Sequence, residues 1–229
     1  MTERLDWNDG VLWSERFEDI YYSRSDGLAE SRYVFLQGNR VSERWQKKSI
    51  FRINETGFGT GLNFLATWQL WRETRAQDSW LYFESIEGFP LDREQLKLIH
   101  QDWGELKALS KMLLAVNHLS GELLPDWQEW PEERITLRLH HAEVLPALRV
   151  MQSNQVDAWF LDGFSPKKNP EMWTRDVLRE VARITCPQGT CATYTAASHV
   201  RKSLEDSGFV MKKIKGFARK REMLHGCKL

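Results

Sequence analysis

Hydrophobic positions along the chain follow two alternating periods, one typical of strands and one typical of helices. Five segments carry the short apolar or alternating runs of strands: residues 49–54, 80–86, 135–139, 156–161 and 189–195. Apolar residues recur every three or four positions in six others, which predicts helices over residues 62–71, 91–100, 105–117, 171–183 and 198–205 and in a stretch ending at Val150. Residues 209–214 and 222–226 predict two closing strands, the last of them antiparallel. This order predicts a doubly wound, mostly parallel α/β sheet.

The N-terminal part of the chain precedes this sheet signal. Residues 33–45 hold two apolar runs around a Gly-Asn pair, a pattern that predicts a β-hairpin. Residues 17–22 resemble another short strand. We therefore expect an N-terminal β extension, residues 1–48, followed by the α/β domain, residues 49–229.

Composition narrows the class of protein. The 229 residues suffice for one α/β domain with additions. No run of about 18 apolar residues predicts a membrane span, and the acidic first ten residues do not resemble a secretory signal. Three cysteines form no C-x-x-C pair and six histidines no H-E-x-x-H. We expect reduced thiols, no metal site and a cytoplasmic protein.

Charge is distributed unevenly, although the formal net charge is zero. Residues 201–229 contain nine basic and three acidic side chains, which leaves 23 basic and 29 acidic side chains in the rest. An acidic body with a basic C-terminal end is typical of proteins that bind polyanions. An ordinary solvated surface is the alternative interpretation.

The strongest chemical signal is the sequence Glu55-Thr56-Gly57-Phe58-Gly59-Thr60-Gly61, between a predicted strand and a predicted helix. Glycine tolerates positive φ and lets a ligand approach the backbone, and the helix directs N–H groups at the turn. The spacing differs from the dinucleotide fingerprint G-x-G-x-x-G, and the acid would repel a pyrophosphate. We expect a ligand with a positive charge and hydroxyl groups, bound by Glu55, Gly57, Gly59, Gly61 and Asn63. The turn resembles motif I of the class I, Rossmann-like S-adenosylmethionine-dependent methyltransferases.

Acidic residues follow three other predicted strands, at the edge where ligands gather in open α/β sheets. Glu87 is favoured over the mid-strand Glu84 as the acceptor of hydrogen bonds from two ribose hydroxyls. Glu143 is expected either to meet an adenine amino group or to stabilise a helix N-terminus. Asp162 lies across the switch point from the glycine turn, where a substrate should approach the cofactor. An aspartate that only caps its loop is the alternative.

Several segments together resemble the methyltransferase domain of the MnmC family of bacterial tRNA wobble-uridine modification enzymes. The resemblance is carried by residues 16–23, 30–36, 55–64, 157–173, 216–217 and 219–224. The most specific stretches are the one that begins Leu-Asp-Gly-Phe at Leu161 and the Lys-Arg-Glu-Met-Leu sequence at Lys220. The match covers nearly the whole chain.

The resemblance implies methyl transfer from S-adenosylmethionine to the amine of 5-aminomethyl-2-thiouridine in tRNA, giving 5-methylaminomethyl-2-thiouridine. Asp162 would hold the amine and accept its proton, and Phe164 would pack against the base. Other substrate-binding residues would be Pro166, Lys167, Lys168, Arg201, Lys220 and Arg221. Family members often carry a second, FAD-dependent oxidoreductase domain that exposes the amine. Because this chain has no second dinucleotide turn, such a domain or protein is an expected partner on the same uridine.

Three other functions compete with this one. A nicotinamide-dependent oxidoreductase is disfavoured by the glycine spacing and by the acid at Glu55. A non-catalytic RNA-binding module is disfavoured because the Asp162 loop and the glycine turn are both intact. A methyltransferase that acts on another amine is not distinguished by the residues alone.

Overall fold

The fold is described from a computed structural model, which defines residues 5–8, 11–22, 26–101, 103–116 and 127–229. The strands are β1 (Leu5–Asn8), β2 (Val11–Ser14), β3 (Asp19–Ile20), β4 (Ile50–Thr56), β5 (Trp80–Glu87), β6 (Gln128–Trp130), β7 (Ile135–His141), β8 (Val156–Leu161), β9 (Thr185–Thr193), β10 (Phe209–Lys215) and β11 (Glu222–Lys228). The α-helices are α1 (Gly27–Ser31), α2 (Val41–Trp45), α3 (Leu62–Thr74), α4 (Arg93–His100), α5 (Lys107–Leu114), α6 (Val144–Val150), α7 (Arg175–Ile184) and α8 (Ser198–Asp206).

Eight strands form the main sheet, in the order β10-β11-β9-β8-β4-β5-β7-β6. The five strands from β9 to β7 run parallel, whereas β11 is antiparallel to both of its neighbours and β6 is an antiparallel edge strand. This confirms the predicted doubly wound sheet with an antiparallel last strand. The strand order reverses between β4 and β8, so their carboxyl ends form the topological switch point.

Helices cover both faces of the sheet. Buried side chains of α2, α3 and α5 pack on one face together with Phe51 and Phe83. Helices α6, α7 and α8 pack on the other face around Trp159. Every residue of β8 is buried, because its side chains alternate between the two cores. The sequence of such a strand is a nearly continuous apolar run, and this is why β8 was predicted from the sequence.

The predicted β-hairpin over residues 33–45 is wrong, because the structure has a π-helical segment, Arg32–Gln37, followed by α2. Val34 in the π-helical segment is buried, and so are Val41 and Trp45, four residues apart on one side of α2. β-branched and aromatic side chains favoured a strand locally, but packing against the sheet overrides that preference. The N-terminal hairpin lies earlier, where β1 and β2 pair antiparallel and β3 joins β2.

Two other predicted segments differ in extent. The strand predicted over residues 17–22 is limited to the two residues of β3. The helix predicted over residues 105–117 begins with a 3₁₀ turn, Gly104–Leu106, and continues as α5, while position 117 lies outside the described residues. The division of the chain at residue 48 stays a prediction. Among the residues described, no helix is both long and apolar enough to cross a bilayer.

Candidate active site

A cavity of about 940 Å³ opens at the carboxyl ends of β4, β5, β7 and β8. This is the switch-point edge of the sheet, and the volume lies in the range of small-molecule sites. The glycine turn after β4 lines one side, and the loop after β8, residues 162–169, lines the other through residues 162–165 and Asn169. Phe17, residues 19–22 and three residues of α1 form a further part of the wall.

The glycine turn and the first turn of α3 are together called the glycine cradle. The turn takes a conformation that only glycine adopts easily. Gly57, Gly59 and Gly61 have φ angles of +88°, +52° and +77°. A Cβ on Gly57 would lie 3.4 Å from Cα of Gly163, and Thr56 Oγ1 donates to the Asp162 carbonyl at 2.8 Å, so the two loops lie side by side. α3 begins without a side-chain cap, so its first-turn N–H groups remain available to a ligand.

Not every predicted member of the cradle lines the cavity. Gly57, Gly59 and Asn63 do, whereas Glu55 and Gly61 are absent from the wall. A Cβ on Gly61 would lie 3.0 Å from the Phe58 ring, so this glycine allows close packing inside the turn. Gly61 therefore serves the shape of the turn, and its predicted contact with a ligand stays a prediction.

Glu55 is fully buried behind the cradle, which corrects its predicted role as a ligand-binding acid. Its Oε1 accepts a hydrogen bond from Asn63 Nδ2 at 2.8 Å, and its Oε2 accepts one from Ser85 Oγ at 2.7 Å. Burial raises the pKa of the Glu55 carboxyl well above its usual range, although these hydrogen bonds oppose the shift. Glu55 thus holds β4, β5 and α3 together beneath the site.

Glu87 ends β5 and lines the cavity beside the glycine cradle. Its carboxylate accepts hydrogen bonds from the N–H groups of Gly59 and Phe89, both at 2.8 Å. These bonds fix the carboxylate at the cavity wall, where it has lone pairs for further donors. The competing Glu84 lies mid-strand, 2.5 Å from His140 Nε2.

Glu143 occupies the N-cap position of α6 and lines the cavity with an exposed side chain. Its side chain makes no capping hydrogen bond. The location therefore accommodates both roles expected for it, contact with a ligand and stabilisation of the helix N-terminus.

Asp162 lies directly after β8 and lines the cavity opposite the glycine cradle. Its Oδ2 accepts a hydrogen bond from Asn63 Nδ2 at 2.7 Å, and its Oδ1 accepts one from the Gly163 N–H at 2.8 Å. Burial raises the pKa of this carboxyl to about 6, partly offset by these two hydrogen bonds. At neutral pH the group is mostly a carboxylate, the form that accepts hydrogen bonds and a proton from a bound amine.

Four aromatic side chains form a wall on the Asp162 side of the cavity, called here the aromatic wall: Phe17, Tyr21, Phe89 and Phe164. Phe17 stacks on Phe164 with centroids 4.5 Å apart, and Tyr21 meets Phe164 edge-on at 5.2 Å. The Ser165 N–H donates to Asp19 Oδ2 at 3.0 Å, which ties the N-terminal residues to the Asp162 loop. Phe164 was predicted here, whereas the other three rings were missed individually.

The predicted substrate-binding cations divide into two groups. Only Lys220 lines the cavity, where its Nζ donates to Glu30 Oε1 at 2.7 Å and lies 4.5 Å from the centroid of the Tyr194 ring. The remaining predicted residues lie outside the cavity wall: Pro166, Lys167, Lys168, Arg201 and Arg221. Lys168 is bonded to Glu18 and Arg201 to Glu205.

Glu30 and Tyr194 were not predicted as site residues. Tyr194 follows β9, and its hydroxyl donates to the Gly163 carbonyl at 2.7 Å. Glu30 lies on α1, 190 residues from the lysine it pairs with. The position of Tyr194 at a strand end is a usable sequence signal, whereas nothing local marks Glu30.

The charges and shape of the cavity fit a cationic ligand with hydroxyl groups. Among the described residues of the wall, six acidic side chains, Asp19, Glu30, Glu87, Glu143, Asp162 and Glu171, outnumber two basic ones, Arg149 and Lys220. A bound S-adenosylmethionine carries a sulfonium and an ammonium group, which such a wall favours. Its carboxylate suits the N–H groups at the start of α3, which no side chain caps. No group of metal-binding side chains was found among the described residues.

Comparison with known proteins gives the same result. Residues 111–229 match a family described as S-adenosyl-L-methionine-dependent methyltransferase. The chain is 45% identical over 227 residues to a protein of Nitrosospira multiformis called tRNA 5-methylaminomethyl-2-thiouridine biosynthesis bifunctional protein MnmC. A Vibrio cholerae protein of the same name is 44% identical over 239 residues. These matches cover 97% of this chain but 36% and 35% of those proteins, so the chain spans about a third of their length.

Solved structures show the same fold. The crystal structure of MNMC2 from Aquifex aeolicus superposes with a TM-score of 0.73 and 26% sequence identity, over 98% of this chain and 70% of that one. A spermidine synthase superposes with a TM-score of 0.59 but only 9% identity, over 99% of this chain and 70% of that one. The second similarity concerns the fold alone.

Proposed function

Because the chain belongs to the S-adenosyl-L-methionine-dependent methyltransferases, as the methyltransferase domain of the MnmC family, we propose that it methylates the amine of 5-aminomethyl-2-thiouridine at the wobble position of tRNA. The product would be 5-methylaminomethyl-2-thiouridine. Membership in a methyltransferase family also argues against the alternative function, a nicotinamide-dependent oxidoreductase. The chain binds S-adenosyl-L-methionine, which supplies an electrophilic methyl group.

One observation carries the proposal: the glycine cradle and the Asp162 carboxylate face the same cavity, and a hydrogen bond from Thr56 Oγ1 to the Asp162 carbonyl joins the two loops. Methyl transfer requires the donor and the nucleophile to meet in line in a site from which water is excluded. Two loops in direct contact satisfy that requirement without a large movement of the backbone.

On the donor side of the cavity, which is the cradle with Glu87 and Glu143, each residue has a proposed task. The backbone of Gly57 and Gly59 would approach the methionine part, with the N–H groups of α3 toward its carboxylate. Glu87 would accept hydrogen bonds from the ribose hydroxyls. Glu143 would meet the adenine amino group from the far end of the wall.

On the acceptor side, which is the Asp162 loop with the aromatic wall and Lys220, Asp162 is the proposed catalytic residue. An amine must be neutral to attack and must lose a proton once it has been methylated. A carboxylate within the cavity can orient the amine and take that proton, directly or through water. The pKa of Asp162, about 6, keeps the group ionised at neutral pH and therefore able to do so.

The base would reach this pocket by leaving the anticodon stack. Phe164 belongs to the aromatic wall, and an extruded base gains stability by packing against such rings. Basic side chains would meet tRNA phosphates, with Lys167, Lys168, Arg201, Lys220 and Arg221 as the proposed contacts. Lys168, Arg201 and Lys220 would exchange an internal carboxylate for a phosphate.

The amine itself has to be supplied by another reaction. An FAD-dependent oxidoreductase domain or protein that removes a carboxymethyl group from the same uridine is the proposed source. The relatives from Nitrosospira multiformis and Vibrio cholerae are named as bifunctional proteins. We propose that both steps take place in the cytoplasm, where tRNA is modified.

The direct test incubates the protein with labelled S-adenosylmethionine and tRNA that carries the free amine, followed by nucleoside analysis. We expect label in 5-methylaminomethyl-2-thiouridine. Matched tRNA with the carboxymethylated amine should remain unlabelled. Label in another nucleoside, or in a small amine supplied as competitor while tRNA stays unlabelled, would assign the enzyme to another substrate.

A further inference from the structure

Asn63 lies between two acids, the buried Glu55 and the half-buried Asp162. Its single Nδ2 donates to Glu55 Oε1 at 2.8 Å and to Asp162 Oδ2 at 2.7 Å. Its Oδ1 accepts a hydrogen bond from Ser31 Oγ at 2.5 Å. The side chain is 8% exposed and lies in the first turn of α3.

The orientation of this amide follows from its partners. A flipped amide would direct its oxygen at two carboxyl groups, so the nitrogen must face them. Both amide hydrogens are then used, and a bound ligand could receive one only if a carboxylate lost its partner. The sequence predicts that Asn63 binds the methyl donor, whereas in the structure its amide donates to Glu55 and Asp162.

We propose that Asn63 is a positioning residue that holds the Asp162 carboxylate in its working orientation and in its ionised form. The proposal rests on the proposed function, because it assumes that Asp162 receives the proton of the acceptor amine. A hydrogen bond donated to the charged form of an acid favours that form. Ser31 and Glu55 in turn fix the amide, so three elements, α1, β4 and α3, determine where Asp162 points.

Other charged and titratable groups also face Asp162, and some of them influence its ionisation independently of Asn63. Glu30 on α1 disfavours the ionised carboxylate, and Lys220 in the turn after β10 favours it. Tyr194 at the end of β9, Asp19 of β3 and Glu87 of β5 line the same cavity. Because none of these groups is bonded to Asp162 through Asn63, a change at Asn63 can be separated from their influence.

The test measures three properties of wild type and Asn63→Ala: donor affinity by calorimetry, the ¹³C titration of the Asp162 carboxyl assigned with Asp162→Asn, and the pH profile of turnover. We expect turnover to fall about 10- to 100-fold, with donor affinity within about threefold. The titration midpoint and the acidic limb of the profile should move to higher pH by about one pH unit, as expected when a charged hydrogen bond is lost.

Two further variants keep the test decisive if Asn63→Ala folds poorly. Ser31→Ala frees the amide but retains both carboxylate bonds, so its titration should move in the same direction by less. Thr67→Val is the matched control, because Thr67 Oγ1 donates to the main-chain carbonyl of Asn63 at 2.6 Å and not to the amide. It should lower stability without moving the titration.

Two results would overturn the proposal. Donor affinity that falls tenfold or more in Asn63→Ala with an unchanged Asp162 titration would make Asn63 a donor ligand. Equal titrations in wild type, Ser31→Ala and Asn63→Ala would make the network irrelevant to Asp162. Calorimetry and the carboxyl titration need no acceptor, so they decide this question even if wild type methylates no tRNA.

Discussion

The donor and acceptor sides of the cavity are built in different ways. Most of the donor side comes from one continuous segment, the glycine cradle, and its shape depends on backbone that only glycine allows. The acceptor side combines side chains from distant parts of the chain. Glu30 pairs with Lys220, 190 residues away, and Asp19 accepts from Ser165, 146 residues away.

This difference matches two tasks of the same enzyme, the binding of a common donor and the recognition of a particular acceptor. A cradle made of backbone is insensitive to most side-chain changes, which suits a ligand that is the same in every methyltransferase of this kind. A wall assembled from several elements can be altered one element at a time, which suits the recognition of a particular acceptor. Substitutions on the two sides should therefore affect different measured quantities.

The largest effect is expected from Asp162→Ala. It removes the only acid in the Asp162 loop that faces the cradle, so turnover should fall by roughly 10³-fold, within the range reported for general bases. Donor affinity, measured by calorimetry, should stay within about threefold. Asp162→Asn keeps the shape and should be nearly as inactive; full activity in either variant removes Asp162 from the mechanism.

A change in the cradle should have the opposite signature. Gly57→Ala adds a Cβ 3.4 Å from Gly163 at a φ of +88°, and this conformation costs about 1–2 kcal/mol for a residue with a Cβ. We expect donor affinity to weaken about tenfold. Gly104→Ala, where an added Cβ has no neighbour within 4 Å, is the control. Equal affinities in the two variants would show that the cradle does not bind the donor.

Neutralising Lys220 and Arg221, in the turn between β10 and β11, tests the acceptor side alone. Lys220→Ala with Arg221→Ala should weaken tRNA binding and reduce the slope of log K against log salt by about 1.4–1.8, the value for two phosphate contacts. Donor affinity should be unchanged. The control is Lys47→Ala. Lys47 is exposed and precedes β4, at the end of the strands opposite the cavity, so its loss should leave the slope unaltered. An unchanged slope in the double variant would place the tRNA elsewhere.

The smallest effect concerns Glu55, which lies behind both sides. An acid whose pKa is raised by folding stabilises the protein below its unfolded-state pKa, and that contribution is lost as the pH rises through the folded-state value. Glu55→Gln should therefore match wild type near pH 4 and unfold roughly 2–4 °C higher at pH 8. A thermal melt series across pH measures this. A stability difference independent of pH would contradict the assigned titration.

Most residues predicted for the donor side line the cavity, because their sequence signals are local, and their roles stay predictions. The glycine spacing, the strand before it and the helix after it are adjacent, and Glu87 ends the next strand. Glu55 was misassigned because sequence does not show whether a strand-end acid faces a ligand or a neighbouring strand. In the structure it faces Ser85 of β5, which only the sheet register reveals.

The acceptor side was predicted less completely for a physical reason. Asp162 and Phe164 follow a strand and were found, whereas Glu30 and Phe17 enter the site through tertiary contacts. The helical course of residues 32–45 was missed because aromatic and β-branched side chains favour strands in isolation, and the buried surface of α3 and the sheet decides otherwise.

The long separation between Glu30 and Lys220 has a consequence during synthesis. In a nascent chain, Glu30 must wait for a lysine translated 190 codons later. At ordinary elongation rates of about 5–20 residues per second, that wait lasts roughly 10–40 s. The strand that carries the glycine turn likewise pairs with β8, more than 100 residues downstream. Both sides of the cavity are therefore completed late in synthesis, and the contact between Glu30 and Lys220 is among the last to form.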